Sequence, residues 1–93
     1  MKKETLKDFA IAIIRDENII KFLRDGCMET PEWLEVAVWN PDMWDYDYYF
    51  SYETAHDILK NIDEEYLDYI VTDTDFYLNA DESILRIEIT KSI

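Results

Sequence analysis

Two runs in the middle of the chain alternate their side chains one by one, and nothing else in the sequence constrains the fold as much. Over residues 33–39, Leu34, Val36 and Val38 fall on one face and Trp33, Glu35, Ala37 and Trp39 on the other. After Asn40-Pro41-Asp42, a second run sets Tyr46, Tyr48, Phe50 and Tyr52 against Asp45, Asp47, Tyr49 and Ser51. A period of two is the side-chain period of a strand, and both runs are rich in β-branched or aromatic residues. Asn-Pro-Asp between them is turn chemistry. Residues 33–50 are therefore expected to form a hairpin.

The flanking segments have a helical period. Leu6, Phe9, Ile13, Ile20 and Leu23 lie on a stripe spaced by three and four, interrupted at Asp16. Residues 4–25 are expected to be helical with a break near Asp16, and Gly26 suits a left-handed cap at the end. Ala55, Ile58, Leu59 and Ile62 define a second helix over residues 53–62. Tyr66, Tyr69 and Ile70 would carry it on to 70, but residues 66–72 also alternate and read equally as a strand. Residues 75–79 and 84–90 look like a last hairpin around Ala80-Asp81-Glu82-Ser83. The order α-β-β-α-β-β is that of one small α+β domain, with helices against an antiparallel sheet.

Charge bounds what such a domain does. The net charge is −13 in 93 residues. Residues 25–85 hold 17 acids against one base, Lys60, whereas residues 1–24 hold six bases and four acids. The chain is nevertheless 48% hydrophobic with 14 aromatic residues and a single glycine, which is not the composition of a disordered acidic tail. Charge of this density opposes a compact state by self-repulsion and does nothing for packing. Its use is expected to be on a positively charged partner. Anionic lipid would repel it, and no apolar run approaches a membrane-spanning length. The basic start Met1-Lys2-Lys3 precedes an apolar run, residues 9–14, that is too short and too charge-flanked for a secretory leader.

The sequence offers little to catalysis. Cys27 is the only cysteine, so no internal disulfide is possible, and a lone thiol fits a reducing cytosol. No base lies near it in sequence to lower its pKa, and a small, partly buried residue just after a helix is the expectation. His56 is the only histidine and is read as a polar residue on a helix face. One His and one Cys cannot build a zinc set, and one glycine cannot build a phosphate loop. Asp42-x-x-Asp45-x-Asp47 and Asp73-x-Asp75 lack the central glycine and closing glutamate of a calcium loop. No cofactor, metal or enzymatic activity is expected.

Residues 39–52 are different: seven aromatic residues and three Asp in fourteen positions. A small domain has no room to bury all of them, and Tyr and Trp are favoured interface residues. Acids at i and i+2 on a strand stand roughly 6.7 Å apart on one face, as for Asp45/Asp47 and Asp73/Asp75. Acids at i and i+4 on a helix, such as Glu64/Asp68, are about 6 Å apart. These separations are comparable to those of neighbouring phosphates, so cations arranged for nucleic acid would meet carboxylates. The expected partner-binding residues are Asp42, Asp45, Tyr46, Asp47, Tyr49, Asp63, Glu64, Glu65, Asp68, Asp73, Asp75, Asp81 and Glu82.

In size, acidity, aromatic content and want of catalytic groups, the chain resembles the small DNA-mimic inhibitors of bacteriophages and mobile elements. These include anti-CRISPR and anti-restriction proteins and inhibitors of uracil-DNA glycosylase. The resemblance is one of surface character over residues 25–82, with no motif whose residues carry over. It implies a protein of the bacterial host cytosol that occupies the basic surface of a nucleic-acid-binding defence protein and does not itself bind nucleic acid. An immunity protein or antitoxin against a basic nuclease would use the same physics. Two copies would lengthen a mimic, with the stripe of the first helix or the aromatic run as self-contact.

Overall fold

The computed structural model describes residues 3–91, so Met1, Lys2 and any leader reading of them lie outside it. Helix α1, Leu6–Arg15, starts where the Thr5 hydroxyl accepts the N–H of Asp8. It buries Leu6, Ala10 and Ile13. It stops at Asp16, far short of residue 25. Asp16 is extended, and its carboxylate accepts the N–H of Asn18 to cap a separate 3-10 turn, Glu17–Ile20. An Asx cap of this kind gives the backbone an alternative to continuing the helix.

Residues expected at the end of that helix instead form a two-stranded antiparallel ribbon, β1 Phe22–Arg24 and β2 Cys27–Glu29. Asp25 (φ 51°) and Gly26 (φ 83°) make the two-residue turn between them. Positive φ at both central residues is what a tight hairpin turn needs, and Asp-Gly is a favoured pair for it. Gly26 is therefore a hairpin residue, not a helix cap. Cys27 is exposed on β2, not partly buried behind a helix.

The expected central hairpin is present as β3, Trp33–Asn40, and β4, Asp45–Tyr52, paired antiparallel. Helix α2, Ala55–Asn61, follows, capped by the Thr54 hydroxyl. Residues 66–72 are neither one helix nor one strand. Tyr66 lies in a single-turn helix, α3, Glu64–Leu67, and the chain becomes strand at β5, Ile70–Asn79. β5 and β6, Glu82–Thr90, form the last hairpin around the two-residue turn Ala80-Asp81.

The fold is α+β, but the main sheet is not wholly antiparallel. Its order is β4-β3-β6-β5, and the two central strands, β3 and β6, run parallel. One face carries Leu34, Val36 and Val38 of β3 and Leu85, Ile87 and Ile89 of β6. These pack with Leu6, Ala10, Ile13, Ile20, Ala55, Ile58, Ile62 and Tyr66 from the helical side in one core. Phe50 and Tyr52 of β4 close its margin. The core draws on that face of the sheet alone, so the other face is left open.

Candidate partner-binding surface

Pairing fixes which residues meet on the open face. One row across the sheet is Tyr49, Ala37, Glu88 and Asp73; the next is Ser51, Glu35, Arg86 and Asp75; a third is Trp33, Ile84 and Tyr77. Ala37 is fully buried and Ile84 is buried, although no helix of the core lies over them. Their cover comes from the face's own side chains. The small side chain of Ala37 in a central strand lets large rings and a long stem lie flat over the backbone.

A β-bulge changes the membership of this face. Val38 pairs with Tyr48 but Trp39 pairs with Tyr46, so Asp47 is an extra residue in β4. Tyr46 is thereby turned away from the Tyr48/Phe50/Tyr52 face that strict alternation assigns it to and joins Trp39 and Tyr49. The rings form a continuous row. Centroids are 5.9 Å apart for Trp44–Trp39, 5.0 Å for Trp39–Tyr46 and 5.3 Å for Tyr46–Tyr49. Trp44, at the tip of the β3–β4 turn with φ 51°, is 81% exposed, so the row ends in solvent.

Arg86 continues the row towards β5. Its guanidinium lies 5.6, 5.5 and 5.0 Å from the ring centroids of Tyr46, Tyr49 and Tyr77. Its Nε donates to Glu35 Oε1 at 2.6 Å, and the Tyr77 hydroxyl donates to Glu35 Oε2 at 2.9 Å. Glu88 is bound in the same way. The Tyr46 hydroxyl donates to Oε1 at 2.8 Å and the Thr72 hydroxyl to Oε2 at 2.6 Å. The Trp33 indole N–H donates to the Glu82 carboxylate. Burial, then the hydrogen bond to its glutamate, pushes the hydroxyls of Tyr46 and Tyr77 above the ordinary range. The bond to Glu35 holds the Arg86 proton more tightly still. The one basic side chain in these rows is thus neutralised from within, and the rings are held by carboxylates.

The thirteen residues expected to bind a partner do not converge. Tyr46, Tyr49, Asp73, Asp75 and Glu82 share the open face. Regular pairing from Asp73 to Asn79 keeps Asp73 and Asp75 at the i, i+2 spacing. Asp45 and Asp47 do not keep it, because the bulge lies between Tyr46 and Tyr48. Asp47 accepts the Asn40 side-chain amide at 3.2 Å, and Asp45 accepts the N–H of Tyr46 at 2.8 Å. They sit with Asp42 at one end of the edge strand β4. Asp63, Glu64, Glu65 and Asp68 line α3 and its flanks in the helical layer, and Asp81 is in the β5–β6 turn. All the acids among the thirteen are exposed. β4 and β5 are opposite edges of the sheet; Asp73 and Asp75 border the aromatic row from the β5 side, whereas Asp45 and Asp47 leave the open face at the β4 edge.

Trp33, Glu35, Trp39, Tyr77, Arg86 and Glu88 belong to this surface and were not among the expected residues. Alternation alone places Trp33, Glu35 and Trp39 off the core face, so that signal was present. Their union with Arg86 and Tyr77 depends on the β3–β6 pairing, which is not local. His56 is exposed on α2. Among the described residues no group of three or more His, Cys, Asp or Glu is arranged to hold a metal ion. No helix of the described residues is long and apolar enough to cross a membrane. Comparisons with protein-family models, curated proteins and solved structures each return no match.

Proposed function

We propose that this protein is an acidic inhibitor that occupies the nucleic-acid-binding surface of a basic protein in the bacterial cytosol. It acts by occupancy and not by catalysis. The observation that carries the reading is the open sheet face: an aromatic row bordered by the exposed Asp73 and Asp75 of one edge strand, with its one central base already paired. A free cationic group on that face would repel a basic partner, and Arg86 is held by Glu35 instead. The rings supply apolar contact area at low entropic cost, and the exposed carboxylates supply steering.

The reading divides the residues by kinetic role. Asp73 and Asp75 act at a distance, so replacing both with Asn slows association and flattens the salt dependence. Trp39 and Tyr49 act as anchors, so replacing either with Ala speeds dissociation. The test is a capture of the partner from host lysate followed by a competition titration with duplex DNA. Mutual exclusion of DNA and this protein is the expected outcome. If both occupy the partner together without weakening each other, the mimic reading is wrong.

A further inference from the structure

A hollow lies on the open face, one row from Arg86. Register sets Trp33 of β3 and Tyr77 of β5 on either side of Ile84, their backbones roughly 9.6 Å apart at the usual strand spacing. The two rings lean opposite ways. The Trp33 indole N–H donates to Glu82, two residues before Ile84 on β6. The Tyr77 hydroxyl donates to Glu35, which pairs with Arg86, two residues after Ile84. Between the parted rings is a pocket of about 290 Å³, lined also by Ile84, Glu35, Glu82 and Ser51. Small-molecule pockets run from about 300 to 1,000 Å³, so this one suits a single side chain.

The lining decides what the pocket can hold. No Lys or Arg of this chain lines it. Glu35 is matched by Arg86, and among the described residues neither ion pair involves Glu82. One carboxylate charge is therefore left beside two aromatic rings, which is the chemistry of a cation site. A second copy of so acidic a chain would bring like charge to it. The neighbouring row shows which cation such parts suit. The Arg86 guanidinium lies 5.0 Å from the Tyr77 centroid, and its Nε donates to Glu35 at 2.6 Å. The pocket offers the same parts one row along, with Trp33 and Tyr77 as rings and Glu82 as carboxylate. A carboxylate has about four acceptor sites, and the indole uses one of those on Glu82. A guanidinium is planar, so it can lie on a ring and donate to a carboxylate in its own plane at once. An ammonium has no flat face to offer a ring.

We propose that the pocket between Trp33 and Tyr77 seats one arginine side chain of the basic partner, an inference that rests on the reading of the open face as a partner-binding surface. The guanidinium lies against the rings over Ile84 and donates to Glu82. The aromatic row beyond Arg86 then contacts apolar parts of the partner, and this pocket fixes its register.

The test begins on the full chain without a partner. Nuclear magnetic resonance follows the Trp33 indole N–H while N-acetyl-arginine amide, the matching lysine amide or the uncharged citrulline amide is added at constant ionic strength. The arginine amide is expected to shift that signal saturably in the millimolar range. The lysine amide should bind about fivefold more weakly or worse, and the citrulline amide should not saturate. Glu82→Gln keeps an acceptor for the indole but removes the charge, and should weaken arginine amide by about fivefold or more. Glu17→Gln, the same change on the helical side, should not. Arginine amide should also loosen the complex with the captured partner, and lysine amide at the same ionic strength should not. No saturable shift at Trp33, equal binding of lysine or citrulline amide, indifference to Glu82→Gln, or a filled pocket that leaves the complex as tight as before overturns the proposal. Competition with DNA is a different measurement, so occupancy of the partner's basic surface and the arginine pocket can each fail alone.

Discussion

Arg86 holds the open face together through a single carboxylate. The Glu35 side chain is only 13% exposed, and it accepts from both Arg86 and Tyr77. Removing the arginine leaves a half-dry carboxylate with one partner, and an ion that loses its pair is costly. Arg86→Met is expected to lower stability by about 1–2 kcal/mol in a urea titration, the figure kept small because the Arg86 side chain is 32% exposed. Arg86→Lys should recover only part of the loss, because an ammonium cannot lie flat among three rings. Adding Glu35→Gln to Arg86→Met should cost less than the two single changes summed. Additive effects would mean that the pair is not coupled. Tyrosine ionisation gives a second residue-scale prediction. Burial raises the hydroxyls of Tyr46, Tyr52, Tyr66, Tyr69 and Tyr77 above the ordinary value of 10.0. The folded state then keeps protons that the unfolded chain has lost. Their contribution is intact below pH 10 and is lost as pH rises through the folded values. Unfolding should therefore set in steeply above about pH 10, with tyrosinate absorbance at 295 nm rising together with the loss of circular dichroism. Ionisation of these five hydroxyls well before the fold is lost would contradict this.

The elements differ in how plainly the sequence declares them. β3 and β4 follow from alternation, and their turn from Asn40-Pro41-Asp42, because those signals are local. The bulge at Asp47 is not local in origin, so Tyr46 ends on the face opposite to the one alternation implies. The ribbon was masked by coincidence: Ile20 and Leu23 continue the spacing of α1, although a cap at Asp16 had already ended it. Asp25-Gly26 was itself a hairpin signal, hidden by reading the glycine as the end of a helix. The parallel pairing of β3 with β6 joins strands about fifty residues apart, and no window of sequence contains it. For the same reason the candidate surface was legible as a type, acids with aromatic rings, but not as a place. The two tight turns invite a direct comparison. Asp25-Gly26 has glycine at its second position, whereas Ala80 (φ 50°) and Asp81 (φ 68°) both hold left-handed backbone without one. L-residues there are disfavoured by about 1–2 kcal/mol, partly offset by the greater entropy that glycine loses on folding. Asp81→Gly should raise stability by roughly 0.5–1 kcal/mol, and Gly26→Ala should lower it by about 1 kcal/mol. No atom approaches a Cβ built at Gly26, so that cost is conformational and not steric. Thermal melts of the two variants check both signs.

At the scale of the molecule, charge and shape set how the protein would compete with DNA under the proposed function. The long axis is 41 Å. A duplex of that length carries roughly 24 phosphates at one charge per 1.7 Å of axis, against a net charge of −13 here. The proposed basic partner would therefore recover less charge from this protein than from DNA and displace fewer condensed counterions. In the proposed complex, the aromatic row from Trp44 to Tyr49 would provide contact that salt does not screen. Added salt should then act in opposite directions on the free and bound protein. The free protein is relieved of self-repulsion, so its melting temperature should rise over the range in which the Debye length falls to about 8 Å and below. The complex should weaken, but with a shallower slope of log affinity against log salt than DNA shows on the same partner. The ratio of the two affinities thus moves in favour of this protein as salt increases. Asp73→Asn with Asp75→Asn should flatten its slope further, and Trp39→Ala should lower the affinity at every salt concentration without changing the slope. Parallel titrations of both ligands across a salt series measure this directly. A slope as steep as that of DNA would mean that phosphate-like charge alone holds the complex, leaving the rings of the open face with no part in it.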